Sequence, residues 1–180
     1  MKKTVLFIAF IAIAFISTTN TFAQKFPDLN KSPMDAAAYP VDYKDSNKVI
    51  KIVYSRPQLK GRDITTLAPL GKVWRTGANE AAELTLYKDM KFGGKSIKAG
   101  TYTFYLIPGE GECTAIISKD LNVWGSYFYK KENDVARMSV PVSLSDESLE
   151  AFSIAFDKGS NGVDMHLGWG PARLTVPFTK

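Results

Sequence analysis

Residues 151–169 read AFSIAFDKGSNGVDMHLGW, and this stretch decides the fold class. In its two runs, residues 152–156 and 163–169, apolar side chains alternate with small or polar ones. A period of two is typical of a strand that buries one face. Asn161-Gly162 lies between the runs and suits a tight hairpin turn, because such turns need positive φ angles. The stretch therefore predicts two antiparallel strands joined by a short turn.

The same alternation recurs over most of the chain outward from this hairpin. Turns that contain Gly or Pro separate the runs, and Gly170-Pro171 is expected to turn the chain after residue 169. Only residues 64–70 and 146–151 have the composition of short helical turns. We predict an all-β fold, an antiparallel β-sandwich or flattened barrel of roughly seven to nine strands with at most short helical turns. The further predicted strands are residues 49–54, 83–88, 101–107, 135–142 and 174–178.

Residues 1–23 have the pattern of a secretory signal peptide. Lys2 and Lys3 precede an apolar run over residues 5–16, which is shorter than the roughly 20 residues that a membrane-spanning helix needs. Residues 21–23 then place small side chains where signal peptidase reads, so cleavage is expected before Gln24. We predict a secreted or periplasmic protein with no integral membrane segment after the signal is removed.

The remaining chain divides into two parts by its pattern. Residues 24–48 are rich in Pro, Asp, Lys and Ala without a sustained period, and we expect an extended N-terminal arm there. Residues 49–180 carry all the predicted strands and are expected to form a single β-sandwich domain. Within this domain, residues 54–80 lack clear alternation but contain apolar anchors, which predicts one long ordered loop.

Composition excludes several classes of site. The chain has one Cys and one His, so it can form neither an intrachain disulfide nor a Cys/His zinc site. Loss of Lys2 and Lys3 lowers the formal net charge from +5 to +3, and the remaining basic residues are scattered among acidic ones. This pattern predicts no nucleic-acid partner. The dispersed Asp and Glu predict no metal site, and no motif indicates a cofactor.

The long loop carries most of the candidate binding residues. Arginine is a planar donor of several hydrogen bonds and suits carboxylates, phosphates and sugar hydroxyls. A structural alternative is equally open, in which Arg75 and Glu80 form an ion pair and Asn79 caps a turn. On the first interpretation, a ligand-binding surface is formed by Arg56, Arg62, Arg75, Asn79 and Glu80 with Arg137 on a neighbouring strand.

Catalytic candidates are few. Glu80 could act as an acid or base beside Arg75, and His166, with Asp164 two residues away, is the one histidine available as its partner. Cys113 lies in a predicted strand with no basic residue before it and is expected to be an inert, small apolar side chain. A cluster of four aromatic residues is expected mainly to fill the space between sheets, with stacking on sugar rings as the alternative: Trp124, Tyr127, Phe128 and Tyr129.

The loop strings YSRP (residues 54–57), KGR (60–62) and GKVWRTGANE (71–80) resemble the signature of DUF2911, a bacterial family of unknown function. The resemblance covers roughly residues 32–178 and implies a secreted single domain without implying a reaction. Such members often carry Glu after the last Trp, where this chain has Gly170. The likeness continues through residues 93–95, 99–102, 124–125, 134–137 and Trp169.

These observations leave three functional hypotheses. The leading one is a non-enzymatic domain that binds a carbohydrate or a small anionic ligand. The second is a hydrolase or lyase that uses Glu80 with Arg75. The third is an envelope-associated structural or interaction domain, which an exposed apolar patch would indicate.

Overall fold

The computed structural model describes residues 24–180, so the predicted signal peptide lies outside the described residues. Strands dominate this part of the chain, and one helical turn, α1, spans Ile64–Leu67. A single 3-10 turn spans Lys131–Asn133. The nine strands are β1 (Met34–Tyr39), β2 (Ile50–Ser55), β3 (Ala82–Leu86), β4 (Met90–Phe92), β5 (Lys95–Ile97), β6 (Gly100–Ile107), β7 (Glu112–Ser118), β8 (Asp134–Gly159) and β9 (Gly162–Thr179).

All nine strands of the described chain join one open antiparallel sheet, in the order β1-β2-β3-β6-β7-β8-β9-β4-β5. The long strand β8 links its two halves, because β8 pairs with β7 up to Pro141 and with β9 from Val142 onward. The prediction of an all-β antiparallel fold is confirmed. The two layers expected of a sandwich come from one sheet that folds over at β8, and the sheet does not close into a barrel.

Apolar side chains of both halves meet between the layers and form the core. Tyr54 of β2 packs edge-on against Phe152 of β8 with ring centroids 5.5 Å apart. The Tyr54 hydroxyl also accepts a 2.8 Å hydrogen bond from the Ile154 backbone N–H. The alternating positions of the opening hairpin are buried as predicted, from Phe152 to Trp169. Burial of these two inner faces holds the folded sheet together.

The long loop between β2 and β3 is ordered by pairing to three separate strands or segments. Isolated bridges join Gln58 to Ala151, Trp74 to Leu106 and Glu80 to Trp124. The single turn α1 begins after Asp63, whose carboxylate accepts a 2.7 Å hydrogen bond from the Thr65 N–H. Such a cap satisfies one of the free donors at a helix start. The predicted ordered loop and its short helical turn are therefore present.

Two local predictions are wrong. Residues 146–151, expected to be a helical turn, lie within β8, where the Glu150 carbonyl accepts from the Leu59 N–H at 2.9 Å. Gly170-Pro171 does not separate two strands, because β9 continues through it and Gly170 pairs with Leu149. In both places, partners distant in sequence satisfy the backbone of an irregular strand, which local composition cannot reveal. Within the expected extended arm, Met34–Tyr39 is the edge strand β1.

Candidate functional site

The first half of the sheet consists of β1, β2, β3, β6, β7 and β8 up to Pro141. The candidate site lies on the outer face of this half, the face turned away from the core. Trp74 pairs with Leu106, and both side chains point into the core. Since side chains alternate along extended backbone, Arg75 and Tyr105 point to the opposite face. The strand register continues this row from Tyr105 to Ile116 and from Ile116 to Arg137. Arg75, Tyr105 and Arg137 therefore share the outer face.

Residues 119–133, which we call the covering segment, cross this outer face. The Tyr129 ring packs edge-on against the Tyr105 ring, with centroids 5.3 Å apart. The Ser126 hydroxyl donates to the Val73 carbonyl at 2.8 Å, which ties the segment to the long loop. The Gly125 N–H donates to the Asn79 carbonyl at 2.9 Å. The resemblance motifs around residues 74–80 and 124–125 are thus in direct contact.

Arg75 occupies the junction between the long loop and the covering segment. Its side chain is half-buried, and among residues 24–180 the guanidinium makes no hydrogen bond or ion pair. Gly125 beside it is buried with φ of +68°, and a Cβ there would lie 3.0 Å from Arg75 Nη1 and 2.8 Å from the Tyr127 ring. A side chain at this position would require Arg75 or Tyr127 to shift, and the positive φ itself favours glycine. The Arg75 guanidinium therefore lies against the covering segment at Gly125.

The prediction that the aromatic cluster mainly fills the core is wrong for three of its four members, because the covering segment lies on the outer face. Tyr129 is partly buried and packs on Tyr105, so it has a structural role. Trp124, Tyr127 and Phe128 are 54%, 76% and 72% exposed. The covering segment therefore presents three large aromatic side chains to solvent.

Arg137 is held in a polar cluster at the other end of the row. Its Nε donates to Asp134 Oδ2 at 2.5 Å, and the Tyr129 hydroxyl donates to the same oxygen at 2.7 Å. The Arg137 guanidinium also contacts the Tyr129 hydroxyl. The Asp134 side chain is 8% exposed, so its charge needs this cation nearby. Arg137 therefore acts mainly by positioning Tyr129 and the covering segment. The alternation of the strand does not reveal this role, because it depends on the contact with Asp134.

The two tyrosines of this cluster make stability sensitive to alkaline pH. Burial, aided by the Asp134 carboxylate and opposed by Arg137, raises the pKa of Tyr129 to about 12. Burial is also the largest cause of a raised pKa at Tyr105, followed by the Asp120 charge. The folded protein then keeps protons that unfolded tyrosines lose above a pKa of about 10. This contribution to stability is complete below about pH 10 and is lost as the pH rises toward about 12.

We therefore expect the urea unfolding midpoint to fall between about pH 9 and pH 11 and the fall to be smaller in Tyr105→Phe. Tyr87→Phe is the matched control, because Tyr87 is 50% exposed. Measurement of unfolding curves for all three proteins at several pH values tests this. An equal alkaline fall in the wild type and Tyr105→Phe would contradict the assignment.

Two of the predicted binding arginines lie elsewhere. Arg56 donates to the Phe152 carbonyl at 3.0 Å and the Ser153 hydroxyl at 2.7 Å, and it forms a 3.0 Å ion pair with Asp35. Arg62 donates to carbonyls of its own turn, those of Leu59 and Gln58, at 2.9 and 2.7 Å. The Arg56 guanidinium thus binds atoms of β8, and the Arg62 guanidinium binds backbone atoms of the long loop itself. The six predicted residues thus do not form one surface, because strand pairing sends loop side chains to different sides.

The predicted acid–base pair does not form. Glu80 is exposed and lines a cleft of about 220 Å³ that also contains Glu83 and Thr103. His166 faces a different cleft, where its Nδ1 lies 2.9 Å from the Thr175 hydroxyl and its Nε2 3.2 Å from Asp157. No ion pair joins Arg75 and Glu80 among the described residues, and Asn79 has φ of +60° in a turn. The His166 ring therefore lies between Asp157 of β8 and Thr175 of β9, in a cleft that does not include Glu80.

In residues 24–180 no group of three or more His, Cys, Asp and Glu side chains is placed to hold a metal ion. The same part of the chain contains no helix with the length and apolar character of a membrane span.

Fold and site together define an all-β protein with one folded antiparallel sheet and a polar, aromatic outer surface. Residues 32–178 match the family model described as a protein of unknown function (DUF2911). The chain belongs to this family. No curated protein and no solved structure matches the chain.

Proposed function

We propose that the protein is a secreted or periplasmic binding domain that recognises a carbohydrate or a small anionic ligand on its outer face. The carrying observation is the half-buried Arg75 guanidinium, which has no partner in residues 24–180 and lies at Gly125 near the exposed Tyr127 ring. The N-terminal pattern of basic, apolar and small residues supports export.

The chemistry of this surface favours a ligand with both polar and apolar faces. Trp124 and Tyr127 offer flat rings, and sugars present C–H faces that pack on such rings. Arg75 offers parallel N–H donors that suit a carboxylate or neighbouring hydroxyls. An acidic sugar would use both features at once. The binding hypothesis is therefore better supported than the enzymatic one, which depends on Glu80 and His166 acting together.

The test compares Arg75→Ala with wild type in calorimetric titrations. Oligogalacturonate, cellotetraose and inorganic phosphate serve as probes for an acidic sugar, a neutral sugar and a small anion. We expect at least one probe to bind and Arg75→Ala to weaken it at least about tenfold, since a charged hydrogen bond contributes roughly 1.5–3 kcal/mol. The melting temperature of Arg75→Ala should stay within about 2 °C of wild type, because the guanidinium holds no other described residue.

Arg62→Ala is the matched control for this experiment. Among residues 24–180 the Arg62 guanidinium bonds only to carbonyls of its own turn, so its removal should leave probe affinity unchanged. The proposal is overturned if none of the three probes binds, or if Arg62→Ala weakens binding as much as Arg75→Ala. Unfolding of Arg75→Ala would show that the guanidinium has a structural role instead.

One observation favours a second candidate, an envelope-associated interaction domain. Phe128 is 72% exposed and adjoins Tyr127, so the covering segment presents apolar area to solvent. Solvent-exposed apolar patches of this kind mark protein contacts. If the wild type self-associates in analytical ultracentrifugation and Phe128→Ser abolishes this without affecting probe binding, the interaction role is supported.

A further inference from the structure

An apolar cavity of about 130 Å³ lies at one end of the core, between the two sheet halves and beneath α1. Protein interiors are packed closely and leave few voids larger than a water molecule. A cavity of this size is therefore a distinct feature of the fold. It faces away from the outer surface that carries Arg75, because its lining includes Trp74, whose side chain points to the core.

The floor of the cavity consists of aromatic and aliphatic side chains. Trp74 and Trp169 lie nearly parallel, at 13° with ring centroids 5.5 Å apart, and Phe152 packs edge-on against Trp74 at 5.0 Å. Leu106 and Leu167 complete the buried part and are 2% and 1% exposed. Such a lining offers no partner to a charged or strongly polar ligand, so it selects an apolar one.

The mouth of the cavity is formed by residues that solvent reaches. Thr65 and Leu70 of the long loop are exposed, and Ala172 of β9 on the other side is half-buried. The Gly71 N–H donates to the Pro108 carbonyl at 2.8 Å, which holds the loop over the end of β6. The cavity is thus open at a rim that ordered backbone maintains.

Cys113 contributes the one thiol in the lining. Burial is the main cause of a raised pKa of this thiol, which keeps it protonated at neutral pH. A neutral thiol behaves as a small apolar side chain. The predicted inert role of Cys113 agrees with this surrounding, and its presence keeps the wall apolar.

We propose that this cavity binds a small, flat, apolar molecule of about the size of a single aromatic ring. The volume is close to that of an engineered apolar cavity of about 150 Å³ which binds benzene. The aromatic floor favours a flat ligand, because a further ring can pack on the outer faces or edges of Trp74, Trp169 and Phe152. This site is separate from the proposed outer surface, and its ligand needs no contact with Arg75.

Toluene is the probe for the test, and the indole N–H signals of the three tryptophans are the readout in NMR spectra. We expect toluene to shift the signals of Trp74 and Trp169 and to leave that of exposed Trp124 unchanged. Toluene near saturation should also raise the melting temperature by roughly 3 °C. Pyridine at the same concentration should shift none of the signals, because its ring nitrogen would lose its hydrogen bond to water.

Ala172→Leu narrows the mouth and should abolish the toluene shifts. Ala155→Leu is the matched control, since Ala155 is exposed on β8 and the same methyl groups are added outside the cavity. Cys113→Leu, which fills the cavity from its wall, serves if Ala172→Leu does not fold. The proposal is overturned if toluene shifts neither Trp74 nor Trp169, if it shifts Trp124 equally, or if the shifts persist in the folded filling variant.

Discussion

Replacement of Trp74 with alanine is expected to lower the free energy of unfolding by about 3–5 kcal/mol. Trp74 is 8% exposed and packs against Phe152 and Trp169 at centroid distances of 5.0 and 5.5 Å. Its removal enlarges a cavity that already exists there, so neighbouring side chains cannot close the space easily. The melting temperature should fall by about 10 °C, as a domain of this size loses roughly 2–4 °C per kcal/mol.

Trp124→Ala is the matched control for this prediction. Trp124 also lies in the family motifs but is 54% exposed, so its truncation should cost less than about 1 kcal/mol. Urea unfolding of both variants at one temperature measures the difference. Equal losses in the two variants would show that burial does not separate the roles of these tryptophans.

Gly162→Ala is expected to lower the free energy of unfolding by about 3 kcal/mol. A Cβ at this position would lie 2.0 Å from the Phe178 carbonyl oxygen and 2.9 Å from the Thr179 Cα. Both atoms belong to backbone, and Phe178 is also paired with Phe92 of β4. The tip of the β8–β9 hairpin would have to move away from the end of β9. That movement would break the 3.1 Å hydrogen bond from the Lys180 N–H to the Asn161 carbonyl.

Gly71→Ala provides the comparison for Gly162→Ala. Gly71 has φ of +69°, and a Cβ added there would have no atom within 4 Å, so only backbone strain opposes alanine at this position. That strain is about 1–2 kcal/mol. Thermal and urea unfolding of both variants should therefore rank Gly162→Ala as the more damaging. The reverse order would mean that the hairpin tip moves at little cost.

Part of the candidate site could be recognised from the sequence. Arg75 and Asn79 belong to a long, non-alternating loop with apolar anchors, and such loops are often functional. The aromatic residues between Trp124 and Tyr129 can also be recognised in the sequence, whereas the exposure of three of them follows only from the structure. Arg56 and Arg62 lie in the same loop as Arg75, so the sequence predicts one shared binding role for all three. Their guanidinium groups instead satisfy backbone carbonyls, a use that composition does not distinguish from ligand binding.

The sequence by itself determined the all-β class and the buried faces of most strands, from residues 50–54 to 163–169. Alternation with period two is a local property, since each side chain points opposite to its neighbour whatever the strand pairs with. Only the tertiary structure decided that β8 joins both sheet halves, that Arg75 opposes Tyr105, and that the covering segment lies over them. Those facts depend on the register between residues distant in the chain, and many registers are compatible with the same alternation until the core and the backbone hydrogen bonds select one.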